Sequence, residues 1–139
     1  MNQSIDSGSD NSAPTAVLLS LQRERQHYAS APDRFLAAWE KAIEKIGPHY
    51  FLIQGIDHYT EATHRDQLRP DTTAIEQRLG VCSVGEGVFI GAVMSFYNGD
   101  WGAEICTGFG YSGIGDIANR LDLELLTIIQ ELMINHTGW

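Results

Sequence analysis

Hydrophobic residues are densest between Val81 and Thr107, and their pattern there predicts three antiparallel strands. Asn98-Gly99 anchors the register, because this dipeptide readily takes the two positive φ angles of a tight hairpin turn. With that turn, Tyr97 faces Asp100 and Met94 faces Ala103. One face then collects Ile90, Ala92, Met94, Phe96, Trp101, Ala103 and Ile105. The other carries Phe89, Gly91, Val93, Ser95, Tyr97, Asp100, Gly102, Glu104 and Cys106. An apolar face set against a mixed one suits a sheet covered on one side by helices.

Elsewhere the pattern is mainly helical. Residues 1–13 are rich in Ser, Asn and Asp without periodicity, and are expected to form a disordered tail ahead of a single domain over residues 14–139. Pro14 suits a first helical turn, with Val17, Leu18, Leu21 and Tyr28 at helical spacing behind it. Ser30 and Asp33 have capping-box spacing and open a second helix. Phe35, Leu36, Trp39, Ala42, Ile43 and Ile46 line one face of it, and Gly47-Pro48 stops it. His49 to Ile56 is short and continuously apolar, and predicts a buried strand.

Asp57 to Arg69 reads equally as loop or helix. Asp71, Thr72 or Thr73 can cap a short helix that Gly80 closes. After a glycine-rich link at Gly108–Gly115, a last helix runs from about Asp116 to His136. Its main stripe is Ile114, Ile117, Ala118, Leu121, Leu125, Ile128, Ile129 and Leu132. A second stripe of Leu123, Leu126 and Met133 predicts a homodimer through this helix. Asp122 can recap a second segment, with Leu121 and Leu126 as a hydrophobic staple. The expected fold class is α+β: a mainly antiparallel four-stranded sheet with helices packed on one face, in the order α-α-β-α-β-β-β-α.

Composition adds a size and a charge. At 139 residues and 43% hydrophobic, the chain can bury a core without metal or disulfide staples. No apolar run approaches the roughly 20 residues of a membrane span, and Met1 is followed by no secretory pattern, so the expected compartment is the cytoplasm. Eighteen acidic residues against nine basic ones give a net charge of -9. From Leu79 onward the acids are Glu86, Asp100, Glu104, Asp116, Asp122, Glu124 and Glu131, and the only base is Arg120. Such a surface repels nucleic acid and attracts basic protein. The strand register puts Cys82 on the core face and Cys106 opposite, predicting two free thiols of which Cys82 is the slower to react.

Four stretches invite a chemical reading. Gly108-Phe109-Gly110-Tyr111-Ser112-Gly113 matches a dinucleotide-binding glycine motif, but no second parallel strand follows to carry a ribose-binding carboxylate. Gly113-Ile114-Gly115 before a helix resembles the acyl-cofactor loop of acetyltransferases over a short stretch, and the strand and helix that should follow are missing. Asp57, His58, Glu61 and His64 carry the residue types of a nitrogen-and-oxygen metal site, with Glu61 and His64 at helical E-x-x-H spacing. Asp116 to Leu132 has helix-turn-helix spacing, yet no Arg or Lys follows Leu123 to meet bases or phosphates.

No nucleophile elbow or histidine relay is visible, so no cofactor is expected. The resulting expectation is a small acidic non-catalytic binding factor: an inhibitor, an immunity-type antagonist or a chaperone. Its partner would be a basic protein, a nucleic-acid-handling enzyme being one such partner, with no direct nucleic-acid binding and no membrane. Asp100, Trp101, Glu104, Asp116 and Glu124 are the expected contact residues. A small metal-dependent enzyme built on residues 57–66 and a self-associating structural protein are the competing expectations.

Overall fold

The computed structural model describes the chain from Asn2, with side chains from Pro14. The side chains of the tail expected over residues 1–13 lie outside those described. Among the described residues the chain forms six helices and a single two-stranded antiparallel sheet. The expected four-stranded α+β sheet is therefore absent, and the fold class is mainly α. Contacts divide the chain into two units, Met1–Ser30 and Ala31–Trp139.

A single helix, α1 (Asn2–Ile46), stands where two were expected. Ser30 does not cap a new start; its hydroxyl donates to the Gln26 carbonyl at 3.0 Å. In the first unit Val17, Leu18, Leu21 and Tyr28 are exposed. In the second, the expected stripe of α1 is buried in full, from Phe35 through Trp39 and Ile43 to Ile46. Gly47 ends the helix at a φ of 122°, where a side chain would be strained, and Pro48 follows.

The apolar stretch after it becomes β1 (Phe51–Ile53), which pairs with β2 (Leu68–Pro70) so that Leu52 faces Arg69. Between them the chain turns through two 3-10 segments, Tyr59–Glu61 and Arg65–Gln67. The Trp39 indole N–H donates to the Leu68 carbonyl at 2.9 Å, tying the ribbon to α1 inside the core. Asp71 then caps α2 (Thr72–Leu79) and Gly80 closes it, as the sequence indicates.

The largest correction concerns the supposed hairpins. The stretch read as three strands forms α3 (Val84–Met94) and α4 (Gly99–Gly108) instead. Every residue of α3 from Gly87 to Met94 is buried, so its apolar run is that of a helix surrounded by others. Ser83 caps it, accepting from the Glu86 amide at 3.2 Å, and the Glu86 carboxylate accepts from the Ser83 hydroxyl.

Asn98-Gly99 is a helix start rather than a turn. The Asn98 side chain accepts from the Trp101 amide at 3.0 Å, and Gly99 has no positive φ. The two helices meet through glycine. A Cβ at Gly102 would lie 2.5 Å from the Ser95 nitrogen, and one at Gly91 would lie 2.6 Å from Cys106 Sγ.

The last expected helix is two, α5 (Ile114–Arg120) and α6 (Leu123–Asn135), joined at Leu121 and Asp122. Asp122 does recap, accepting from the Leu125 amide at 2.9 Å. The second stripe breaks up, because Leu126 packs on the core while Leu123 is 80% exposed. No helix among the described residues is long and apolar enough to cross a membrane.

Candidate functional site

The seven acids beyond Leu79 are not equivalent once the chain is folded. Glu86 pairs with Arg78 at 2.6 Å, and that hydrogen bond holds its carboxyl below the usual range. Glu124 pairs with Lys45 at 2.6 Å, which pushes the ammonium pKa up through the same hydrogen bond. Glu131 meets Lys41 at 3.2 Å, and Asp122 caps α6. Asp116 binds the Arg120 guanidinium at 3.0 Å and accepts from the Ser112 amide at 3.2 Å.

Only Asp100 and Glu104 remain. They sit one turn apart on the outer face of α4, both exposed, with no ion pair or hydrogen bond from either carboxylate among the described residues. Of the five expected contact residues, then, two present free charge on one surface. Asp116 and Glu124 are neutralised elsewhere. Trp101 is half-buried at the core edge, and its indole N–H donates to Glu76 Oε1 at 2.7 Å.

Beside the two acids lies an apolar hollow of about 230 Å³, open to solvent. Its floor is the small face of α4: Gly99, Gly102, Ala103 and Cys106. Ile114 and Ile117 of α5 and Ile129 and Met133 of α6 form walls. Two of these stand out into solvent at the mouth, Ile114 at 65% exposure and Met133 at 49%. Sequence reasoning missed the hollow because it placed Ala103 and Cys106 on opposite faces of a strand. The signal that would have found it is Ser83-Val84-Gly85-Glu86, a capping-box spacing directly ahead of the apolar run.

The glycine link is not an anion cradle. Arg120 donates to the Phe109 carbonyl at 2.8 Å and the Gly110 carbonyl at 3.0 Å, and the Ser112 amide is already taken by Asp116. A phosphate there would have to displace a carboxylate, and α5 is too short to add a helix-terminal field.

The metal-ligand expectation fares no better. His58 Nδ1 accepts from the Thr60 amide and His64 Nδ1 from the Asp66 amide, so both rings cap short turns. Asp57 and Glu61 are exposed, and no three His, Cys, Asp or Glu among the described residues are grouped to hold a metal ion.

The thiol order is inverted by the helices. Cys106 is buried between α4 and Gly91, whereas Cys82 is partly exposed after α2. Burial pushes both thiols up. Cys82 is therefore expected to react faster with a thiol reagent by roughly an order of magnitude or more, since Cys106 reacts only in locally opened molecules. Peptide mapping after timed alkylation checks this, and faster labelling of Cys106 would contradict the buried α3–α4 contact.

Fold and surface together define a small, mainly α-helical protein with an acidic, apolar-edged face. No family model matches the chain, and no curated protein or solved structure matches it.

Proposed function

We propose that this is a small acidic binding factor without catalysis, acting in the cytoplasm on a basic protein as an inhibitor, antagonist or chaperone. One observation carries the reading: Asp100 and Glu104 are the two C-terminal acids with no internal partner, and they share one face beside an apolar hollow. Carboxylates without an ion-pair or hydrogen-bond partner inside the chain are free to meet charge outside it, and steering by them acts mostly on the association rate.

The test uses tagged full-length protein and the proteins of its own host. Asp100→Asn with Glu104→Gln should slow association with a captured basic partner by about tenfold at low salt, with the parental melting temperature retained. Capture at the parental rate would reject the reading.

Self-association through α6 is a second reading, favoured by the exposure of Leu123. A two-fold contact would cover it in both copies. Sedimentation should then show a concentration-dependent dimer that Leu123→Lys abolishes. A monomer at every concentration would reject it.

A further inference from the structure

Past the end of α6, residues 136–139 turn back onto the core of the second unit. Gly138 makes the turn at a φ of 96°, a value that strains any side chain. Among the described residues no backbone hydrogen bond joins residues 137–139 to the rest of the chain. Side chains hold the segment instead. The His136 ring lies 5.7 Å from Phe35 and 5.3 Å from Phe96, and the Trp139 indole enters a seat built by other segments.

That seat has the parts of a recognition site for one kind of ring. Trp39, Tyr97 and Phe35 meet the indole edge-on at 4.8, 5.1 and 6.0 Å. The Arg65 guanidinium lies 5.5 Å from the ring centre, within reach of a cation–π contact. Asp66 Oδ1 accepts the indole N–H at 3.2 Å, and Arg69, donating to the same oxygen at 3.1 Å, holds that carboxylate in place. Asp66 is exposed and the Trp139 ring is partly so, which puts the seat at the surface. Trp39 differs on each count. Its ring is fully buried and its N–H donates to a backbone carbonyl, as core packing requires. A phenyl ring in the seat would meet the same walls but bring no N–H to Asp66.

We propose that these residues form an indole-binding site, and that Trp139 fills it as an internal ligand which an outside indole displaces. The ligand class is a small molecule carrying a planar aromatic ring with one N–H donor at its edge. Binding and release are linked. A ligand that takes the seat frees residues 136–139, and any change that loosens those residues strengthens the ligand.

The probe is N-acetyltryptophanamide, titrated into the full chain and its variants and followed by NMR broadening of its acetyl signal. The parent should bind it weakly, since tethered Trp139 competes at a high local concentration. Trp139→Ala empties the seat and should bind at least about tenfold more tightly, with a melting temperature that rises as probe is added. Gly138→Val strains the turn, leaves every seat residue in place, and should strengthen binding about fivefold. A probe methylated at the indole nitrogen has no donor for Asp66, and should bind Trp139→Ala about fivefold more weakly than the parent probe does.

Parental affinity in both variants overturns the proposal, and Gly138→Val decides alone should Trp139→Ala not melt cooperatively. Equal affinity for the methylated probe also overturns it, since the seat would then be an apolar gap that accepts any ring.

Discussion

Trp39→Ala should cost about 3–5 kcal/mol, a large share of the roughly 5–15 kcal/mol that holds a domain of this kind folded. Trp39 is fully buried and stands where α1, the ribbon and the C-terminal residues converge. It stacks on Phe35, meets Phe51 edge-on at 6.0 Å, and meets Trp139 at 4.8 Å. Truncation removes those contacts and leaves a void that the surrounding rings cannot fill by small movements. It also removes the only side-chain donor to the Leu68 carbonyl among the described residues. Trp39→Phe isolates that second contribution, because it keeps a ring and orphans a buried acceptor, at about 1–3 kcal/mol. Urea denaturation of the three proteins checks both figures. A midpoint for Trp39→Ala within error of the parent would mean that α1 does not dock as described.

The second large effect comes from adding a single methyl group. Gly102→Ala should destabilise by about 1–3 kcal/mol, although alanine favours a helix over glycine by about 1 kcal/mol. The new Cβ would lie 2.5 Å from the Ser95 nitrogen, and backbone cannot step aside as a flexible side chain can. Gly99→Ala, three residues earlier, should do the opposite. Its Cβ meets nothing within 4 Å and its φ is ordinary, so restricting the unfolded chain should add about 0.4–1 kcal/mol. The pair discriminates sharply between helix and hairpin. In a tight turn Gly99 would need positive φ, and Gly99→Ala would be the costly change. Thermal melts separate the two by several degrees, at roughly 3 °C per kcal/mol for a chain of this size.

The same stretch shows why the hairpin reading failed. From Val88 to Met94 every position is apolar or glycine, so a period of two and a period of 3.6 fit equally well. Asn98-Gly99 is likewise compatible with a turn and with a cap followed by the first helical residue. Each local signal is therefore ambiguous between sheet and helix. Glycines at 87, 91 and 102 lower helix propensity, which strengthened the error; in the folded chain they are the points where Phe109, Cys106 and Ser95 come close.

For the candidate site, the acidic C-terminal half was plain in the sequence, and Asp100 and Glu104 were among the five residues it singled out. Which acids were free was not legible. Glu124 is neutralised by Lys45 and Glu131 by Lys41, partners far away in the chain. The hollow was invisible for a related reason, since its lining comes from four helices whose faces depend on the period assigned to each.

By itself the sequence determined the buried stripe of α1, the stop at Gly47-Pro48, the short capped helix at Asp71–Gly80, the break at Asp122 and the excess of negative charge. Those features rest on local chemistry: a side chain reaching its own backbone amide, a proline without a donor, an amphipathic period unbroken by glycine. Tertiary structure decided that residues 84–94 and 99–108 are helices, with the capping box at Ser83 the local signal that agrees. An all-apolar segment has no face of its own, and only burial on every side by α1, α4, α5 and α6 selects the conformation that satisfies its backbone hydrogen bonds internally.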